Sequence, residues 1–425
     1  MIEETKLMLL DLVMCLSDVV DLVAPAVANH HKQVAYIAFC LGRELGFSMK
    51  QRTDLVLAGA LHDIGALSLK DKIDVLRFED NGFFKHADLS YSLLKMFEPL
   101  SGIADIVRFH HVSWSDMGKY ESKGIIVPMD SHILHLADRV SVLIDKRKEI
   151  LGQVSVICKK IEKQSGEMFM PEIVDAFMRL SVKENFWFQV ASQSISSLLI
   201  REIRQYPNQM EIEMDAEALL GVSRLFSKII DFRSHYTSTH SSGVAASAEA
   251  LARLAGFSDQ ECQMMKVAGY LHDLGKLAVP TEILEKPAKL TKKEINIIRS
   301  HTFHTCNTLH SIHDFAMINT WASSHHERLS GDGYPFHIKA KDLSLGSRIM
   351  AVADVFTAIT EDRPYRKGMP DEKALQVLQD MADNSLLDPG VVSLLRLHFE
   401  EINSLRIAAQ KASNEDYKQF LHSPN

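Results

Sequence analysis

The sequence predicts an all-α fold of two tandem helical bundles that arose by an internal duplication. A set of histidines and aspartates occurs twice in the same order, and the segments between them, such as "DLVLAGALHDIG" and "MMKVAGYLHDLG", carry apolar residues at helical spacing. Runs with the alternation of a strand are scarce. With 425 residues, 46% apolar and 24% charged, the chain has the length and composition of a globular protein of two or three domains.

The duplication is defined by polar residues at matching positions. A shift of about 210 residues superposes two lists, of which the first is His30, His62, Asp63, His86, His110, His111 and Asp138, and the second is His240, His272, Asp273, His301, His325, His326 and Asp354. Between these anchors, "LGRELGFS" (41–48) lies over "LARLAGFS" (251–258), and "LAGALHDIG" (57–65) lies over "VAGYLHDLG" (267–275). Chance does not keep seven polar positions in order at nearly equal spacing, so each copy is predicted to be one bundle.

The outer elements follow from composition. The N-terminal stretch "MIEETKLMLLDLVMCLSDVVDLV" predicts an amphipathic helix, because Asp11, Asp18 and Asp21 interrupt its apolar residues. It lacks both the basic region of an export signal and the uninterrupted length of a membrane span. The boundary between the copies is predicted in "REIRQYPNQMEIEMD" (201–215), where Pro207 and Asn208 interrupt a polar run, which gives domains 1–205 and 206–425.

Charge and cysteine content restrict the environment and the partners. The net charge of −8 argues against binding to a nucleic-acid polymer, which usually needs a basic face. Five cysteines without a CxxC pair indicate free thiols, so we expect a cytoplasmic protein that does not enter a membrane.

The second copy carries a set of donors typical of a metal centre. Its five imidazoles and two carboxylates exceed what one ion needs and include no thiolate, which favours two first-row ions such as Fe or Mn that share a bridging carboxylate. A lone buried histidine is usually a hydrogen-bonded core residue, but seven donors in fixed order are not explained in that way. Two neighbouring ions can hold the oxygens of a phosphoryl group.

These residues resemble a known family. The pattern "H…HDLGK…H…HHERLSGDGYP…AD" is similar to the HD-GYP domain, the branch of the HD superfamily that hydrolyses cyclic dinucleotides, and the resemblance covers about residues 215–400. It implies two HD-superfamily bundles, with the seven donors of the second copy as metal ligands and Asp273 as the bridging, catalytic carboxylate. The linear product would carry a 5′-phosphate.

The same resemblance implies substrate contacts. Lys276 and Arg348 would bind the substrate phosphates, and Lys276, three residues after Asp273, projects to the same side of a helix or its end. Tyr334 in the signature loop "GDGYP" (331–335) would offer its ring to a base and its hydroxyl to the site. Arg363 and Arg366 of "RPYR" would add charge near the cleft, although a structural salt bridge explains them equally well.

Two positions depart from the family pattern. Ser330 stands where an Asp or Asn usually precedes the first loop glycine, which loosens the expectation for the loop but removes no ligand. Tyr236 stands where members with a third metal carry a glutamate, which favours a binuclear site.

The first copy resembles a plain HD domain. It keeps all seven donors, a second candidate metal site, but has Ala66 in place of the lysine and no GYP loop. Unpaired buried histidines and aspartates destabilise a protein, so a copy without any role should lose them first. Three readings stay open: a phosphohydrolase on a smaller substrate, such as the 5′-phosphate of the linear product; a regulatory ligand site; or a platform for packing and dimerisation.

The motifs specify the phosphodiester more closely than the bases. The pairing of HD and HD-GYP domains is similar to the vibrio proteins that act on 3′,3′-cyclic GMP-AMP (cGAMP), which favours that substrate slightly over cyclic di-GMP. Alternatives are a cyclic di-GMP phosphodiesterase with a structural first domain, a plain HD nucleotidase or cyclic-mononucleotide phosphodiesterase, and a silent effector that binds a signalling partner through the GYP loop. The expected partners are the cyclic dinucleotide, such a signalling protein and a second copy of the chain.

Overall fold

Helices form the regular secondary structure of the part of the chain that the structure describes, as the sequence predicts. In this computed structural model, that part comprises residues 9–21, 29–66, 78, 85–205, 215–231, 239–312, 315–362 and 367–422, with side chains to residue 418. Its contacts divide mainly into two compact units, within Lys6–Glu213 and within Met214–Pro424. The predicted domain boundary adjoins residues 206–214, which lie outside the described ranges, and stays a prediction.

The described helices of the first unit include those that carry the first set of donors. In chain order they are α1 (Leu9–Asp21), α2 (His30–Glu44), α3 (Met49–Leu61), α4 (Lys85–Lys95), α5 (Glu98–Ser101), α6 (Ala104–Arg108), α7 (Met117–Glu121), α8 (Met129–Leu143), α9 (Val154–Lys163), α10 (Pro171–Ser181), α11 (Glu184–Val190) and α12 (Ile195–Arg204). Helix α1 confirms the predicted N-terminal helix, and α2 packs against α3 and α8 at the centre of the unit.

The described helices of the second unit repeat this order around the second set of donors. They are α13 (Ala216–Asp231), α14 (His240–Leu254), α15 (Asp259–Leu271), α16 (Thr281–Leu284), α17 (Lys292–His310), α18 (Ala316–Ser323), α19 (Leu345–Thr360), α20 (Asp371–Asp383), α21 (Pro389–Leu397) and α22 (Phe399–His422). Helix α14 is central and packs against α15, α19 and α22. A 3₁₀ helix, Leu274–Ala278, packs on α17.

The repeated "GFS" turns connect the two central helices of each unit. Gly46 and Gly256 have φ angles of 77° and 87°, a left-handed conformation that glycine adopts without steric cost. Two residues later, Ser48 and Ser258 cap the next helix by accepting a hydrogen bond from its third backbone N–H, and the third side chain bonds back to the cap. The same local chemistry therefore starts α3 and α15.

Two glycines bring these helices close together. A Cβ atom on Gly59 would lie 2.6 Å from the Cα of Ala35, and one on Gly269 would lie 2.5 Å from the Cα of Ala245. The backbones of α2 and α3, and of α14 and α15, therefore touch where the glycines lie. This contact sets the spacing between the histidines that these helices carry.

A second pair of glycines positions the next histidine-bearing helix. A Cβ on Gly65 would lie 2.2 Å from the carbonyl oxygen of His86, and one on Gly275 would lie 1.9 Å from that of His301. The N–H of Gly275 donates to the hydroxyl of Thr305, which donates to the carbonyl of His272. Ser90 makes the same two bonds in the first unit. The sequence motif HDxG is thus a docking site for α4 and α17.

Two further expectations can be compared with the structure. All five cysteines are free thiols, as the spacing predicts. No helix within the described ranges is long and apolar enough to cross a membrane.

Candidate metal centres

The second unit brings the seven predicted ligands together from five segments. His240 begins α14, His272 and Asp273 follow the end of α15, His301 lies in α17, His325 and His326 follow α18, and Asp354 lies in α19. Donor atoms within 4.8 Å of one another form two groups, one of His240, His272 and Asp273 and the other of His301, His325 and His326.

Asp273 belongs to the first of these groups and also faces the second. Its Oδ2 is 3.3 Å from the Nε2 of His272, and its Oδ1 is 3.4 Å from the Nε2 of His301. Because one oxygen faces each group, the carboxylate has the geometry of a bridge between two ions. Asp354 completes both sides, with Oδ1 3.1 Å from the Nε2 of His240 and Oδ2 3.9 Å from the Nδ1 of His326.

The hydrogen bonds of the rings fix their tautomers. The Nδ1 atoms of His272, His301 and His325 lie 2.7 Å from backbone carbonyls three residues earlier, so each Nδ1 carries the proton and each Nε2 presents a lone pair. The Nε2 atoms of His301 and His325 are only 3.3 Å apart. Two lone pairs at this distance repel unless a cation lies between them, so the ligand set fits a metal ion.

Glu361 is a site residue that the motif reading missed. This buried carboxylate, 4% exposed, accepts a hydrogen bond from the Nδ1 of His240 at 3.2 Å and another from the side chain of Gln410 in α22. A carboxylate behind a ligating histidine orients the ring and makes it a stronger donor. Its position seven residues after Asp354 is the only sequence signal, and nothing in a single sequence separates it from a surface glutamate.

Burial and neighbouring charges shift the pKa values of the centre in opposite directions. Burial lowers the pKa of His301 to about 3 and outweighs the nearby Asp273 carboxylate. Burial would also lower the pKa of His240, but Glu361 and Asp354 raise it to about 10. Burial raises the pKa of Asp273, whereas His272 and Lys276 outweigh this effect and hold it well below its usual range. The metal-free centre therefore combines ionised carboxylates with both neutral and protonated imidazoles.

The predicted lysine lies next to Asp273, the carboxylate predicted to bridge. Lys276 is part of the 3₁₀ helix after α15, and its ammonium contacts the Oδ2 of Asp273. The side chain is 22% exposed, so an incoming anion can reach it. Phosphate binding by Lys276 stays a prediction.

The GYP loop packs directly on the metal ligands. A Cβ on Gly333 would lie 2.5 Å from the backbone of Glu327 and Arg328, so only glycine permits this approach. The buried Glu327 fixes the exit of the loop by accepting the N–H groups of Phe336 and Ile338 at 2.7 and 3.0 Å. The ring of Tyr334 consequently lies 4.8 Å from that of His326.

Of the three arginines predicted to lie near the substrate, the structure describes only Arg348. The guanidinium of Arg348 donates to the backbone carbonyls of Leu343 and Ala340 and to the carboxylate of Asp388, the N-cap of α21. This geometry gives Arg348 a structural role and offers no support for the predicted phosphate contact. Arg363 and Arg366, like Tyr236, lie outside the described residues.

The first unit also brings its own seven donors together, around Asp63. Asp63 is shared between two groups of donor atoms, one with His30 and His62 and the other with His86, His110 and His111. The Nε2 atoms of His86 and His111 are 2.8 Å apart, and Asp138 lies 3.1 Å from the Nε2 of His30. Buried donor atoms here, including the Nε2 of His62 and the Oδ1 of Asp63, have no hydrogen-bond partner. This centre also fits metal.

The surroundings of the first centre differ from those of the second. Asp138 forms an ion pair with the buried Arg139, which aligns with Val355 of the second unit. The first centre therefore has a cation on Asp138, whereas the second has Lys276 on Asp273. His30 donates to the hydroxyl of Ser141, at 3.0 Å, where His240 has Glu361. The sequence comparison considered the lost lysine and the absent GYP loop and missed Arg139.

A second histidine is specific to the first centre. His31 pairs with the buried Asp21, and its ring lies 5.2 Å from that of His62. In the second unit, Ser241 takes this place and donates to Asp231 at 2.9 Å. The shift of 210 residues would have found this pair, because it aligns Asp21 with Asp231 and His31 with Ser241.

Family models match both units. Two models, each described as an HD domain, match residues 27–143 and 224–391. A crystal structure of a cyclic GMP-AMP-specific phosphodiesterase of Vibrio cholerae superposes with a TM-score of 0.64 at 23% identity, over 92% of this chain and 98% of that one, which establishes the shared fold.

Curated relatives extend over one or both units. The 3′3′-cGAMP-specific phosphodiesterase 1 of Vibrio cholerae is 28% identical over 93% of this chain and 92% of its own length. The 3′3′-cGAMP-specific phosphodiesterase 3 of the same organism is 31% identical over 73% of this chain and 63% of its own. A cyclic di-GMP phosphodiesterase of Pseudomonas aeruginosa is 38% identical over 42% of this chain and 43% of its own.

Proposed function

Because this chain belongs to the HD-domain family, and its second unit to the HD-GYP branch of that family, we propose that the second unit hydrolyses a phosphodiester bond of a bacterial cyclic dinucleotide. The substrate that we favour is 3′,3′-cGAMP, ahead of cyclic di-GMP, because the relatives that extend over both units are named for cGAMP. The observation that carries the proposal is the pair of ring nitrogens of His301 and His325, 3.3 Å apart, beside the bridging Asp273.

The residues of the second unit have distinct roles in this reaction. The five histidines and Asp354 would hold two divalent ions, for which we favour iron or manganese, with Asp273 between them. When bound, such ions stabilise the negative charge that develops on the phosphoryl oxygens. Lys276 adds a positive charge on the solvent-facing side of Asp273, where a phosphate oxygen can reach it. Water forms the new bond to phosphorus and the 3′-oxygen leaves, which gives a linear dinucleotide with a 5′-phosphate.

Product analysis tests this activity. Purified protein supplied with Mn²⁺ or Fe²⁺ is incubated with 3′,3′-cGAMP, cyclic di-GMP and cyclic AMP, and the products are identified by mass. We expect both cyclic dinucleotides to be opened, cGAMP faster, and the Asp273→Asn variant to lose this activity. Full activity in that variant, or turnover of cyclic AMP alone, would refute the assignment. No turnover at all favours the effector that binds a partner through the GYP loop.

For the first unit we propose a phosphomonoesterase that removes the 5′-phosphate from the linear product. The supporting observation is its complete set of converging donors without the lysine or the GYP loop beside it. The test uses the linear dinucleotide as substrate for the Asp273→Asn chain, which leaves only the first centre intact. Release of phosphate that disappears in the Asp63→Asn, Asp273→Asn double variant supports the proposal; no release favours the regulatory or structural reading.

Three further features belong to the same proposal. The free thiols favour a cytoplasmic location, where they stay reduced. If the first unit is a platform for dimerisation, the chain forms a homodimer, and sedimentation measures its mass in solution. The GYP loop is the surface on which a signalling protein would dock on the second unit.

A further inference from the structure

A small cleft lies beside the second metal centre, on the side of the GYP loop. It has a volume of about 350 Å³ and is bounded by the side chains of Leu290, Ile295 and Ile298 and by Tyr334. Tyr334 is also the link to the metal ligands, because its ring lies 4.8 Å from that of His326. The volume is at the lower end for a small-molecule site, so the cleft suits one part of a dinucleotide and not the whole.

The polar side of this cleft carries two arginines and one aspartate. The guanidinium of Arg299, half-buried in α17, lies 4.4 Å over the ring of Tyr334. Among the residues that the structure describes, no carboxylate forms a salt bridge with Arg299. Arg328 pairs with the exposed Asp332 at 3.1 Å, which fixes the carboxylate at the rim of the cleft.

The composition of the cleft distinguishes between a base and a phosphate as its occupant. A phosphate would lose hydration against three aliphatic side chains, and Asp332 offsets the charge of one of the two arginines that would attract it. A purine suits both features, since its faces are apolar and its edges carry donors and acceptors. Arg299 already covers a face of the Tyr334 ring, so the base would pack on the aliphatic wall and point an edge at the guanidinium.

The presence of both Arg299 and Asp332 in the cleft favours guanine over adenine as the base. Guanine presents the acceptors O6 and N7 on one edge, which match the two donors of a guanidinium, and the donors N1–H and N2–H₂ on another, which match a carboxylate. Adenine presents an amino donor where guanine has O6, and it has an acceptor at N1. Adenine therefore offers Arg299 one acceptor, N7, in place of two, and offers Asp332 no N1–H.

We propose that this cleft is a guanine-binding subsite, in which Arg299 binds the O6/N7 edge and Asp332 accepts hydrogen bonds from N1–H and N2–H₂. The subsite rests on the proposed function for its substrate and explains how one site accepts both cGAMP and cyclic di-GMP, which share a guanine. Cyclic di-AMP is then a poor substrate.

Binding of mononucleotides tests the subsite without relying on hydrolysis. Calorimetry compares GMP with AMP on the full-length, Mn²⁺-loaded Asp63→Asn chain, in which the first centre is disabled; both ligands offer the same phosphate to the second centre, so a difference reports the base. We expect GMP to bind about tenfold more tightly or better, the value of one bidentate base contact. Equal affinities would overturn the proposal. Turnover of the cyclic dinucleotides is a separate measurement, so failure of the proposed function is recognised independently.

Variants of Arg299 and Asp332 distinguish a bidentate hydrogen bond to the base from a purely electrostatic contact. Arg299→Lys keeps the charge but loses the paired donors, so we expect it to abolish the preference for GMP; a preference that survives would show that Arg299 does not recognise the base and overturn the proposal. Asp332→Ala should reduce the preference for GMP over IMP, which lacks the N2 amino group. Because Asp332 is exposed, this variant keeps the test valid if the Arg299 variant misfolds. Lys293→Ala, exposed in the first turn of α17, is the matched control.

Discussion

Glu361 is placed to tune how strongly His240 would bind a metal, because its carboxylate lies 3.2 Å from the Nδ1 of that ring. The first centre has a neutral hydroxyl, that of Ser141, behind the corresponding His30, so the two copies of the same ligand differ in electron donation. We expect Glu361→Gln to weaken metal binding at the second centre by about 10–100-fold, the usual effect of losing such a carboxylate. Competition with a metallochromic chelator measures this change.

A matched control keeps that experiment specific. Glu372→Gln removes the same charge from an exposed position in the first turn of α20, and we expect no change in metal affinity. If Glu361→Gln retains the affinity of the wild type, then the carboxylate only packs against the ring and does not tune it.

Metal binding should release protons from both centres. In the metal-free protein, carboxylates outweigh burial and raise the pKa of His240 to about 10 and that of His62 to about 9, so both rings are protonated at neutral pH. A metal needs the bare nitrogen, and its apparent affinity should therefore rise with pH, about tenfold per unit for each proton released. Calorimetry in buffers of different ionisation enthalpy counts these protons; a value of zero at pH 7.5 would contradict the assignment.

His240 and His62 also determine how the stability of the metal-free protein changes with pH. Their pKa values are higher in the folded chain than the ordinary value of about 6.5. The charged rings therefore stabilise the metal-free protein fully below about pH 6.5, and this contribution is lost as the pH rises through 9 and 10.

At the scale of the helices, the glycine contacts between α14 and α15 and between α2 and α3 are the most sensitive points. Alanine normally favours a helix over glycine by about 1 kcal/mol. At Gly269, however, its Cβ would meet Ala245 at 2.5 Å, so we expect Gly269→Ala to destabilise the unit by about 1–3 kcal/mol or more. Thermal unfolding measures the loss.

The same substitution should also weaken metal binding, because the carbonyl of Gly269 fixes the ring of His272. Gly118→Ala is the control: no atom lies within 4 Å of the added Cβ in α7, and its stability should stay the same or increase. Equal stability of the Gly269 and Gly118 variants would show that α14 and α15 can separate without cost.

The sequence predicts the helices and the ligands better than their environment. Periodicity, the "GFS" turns and the repeated His-Asp pairs are local signals, and each corresponds to an observed helix, cap or pair of converging donors. Glu361 and Arg299 carry no such signal, because their roles depend on which helices meet. Arg139 shows the same limit, since an arginine beside a ligand looks like a surface residue until its burial is known.

For the whole molecule, the two centres predict a count of metals. Because both sets of donors converge, we expect about four ions per chain by elemental analysis, and two in either Asp63→Asn or Asp273→Asn. If the wild-type chain instead holds two ions, and only Asp273→Asn lowers that number, the first unit has a structural role. The first centre would then contain buried imidazoles that repel one another without a compensating ion.

The different placement of the cation in the two units has a consequence for their interconversion. The second unit has Lys276 on Asp273, whereas the first has Arg139 on Asp138, and Ala66 at the lysine position is 1% exposed. Returning lysine to position 66 alone would bury two cations in one set of ligands. We therefore expect that Ala66→Lys alone does not give the first unit the charge arrangement of the second, and that Arg139 has to change with it.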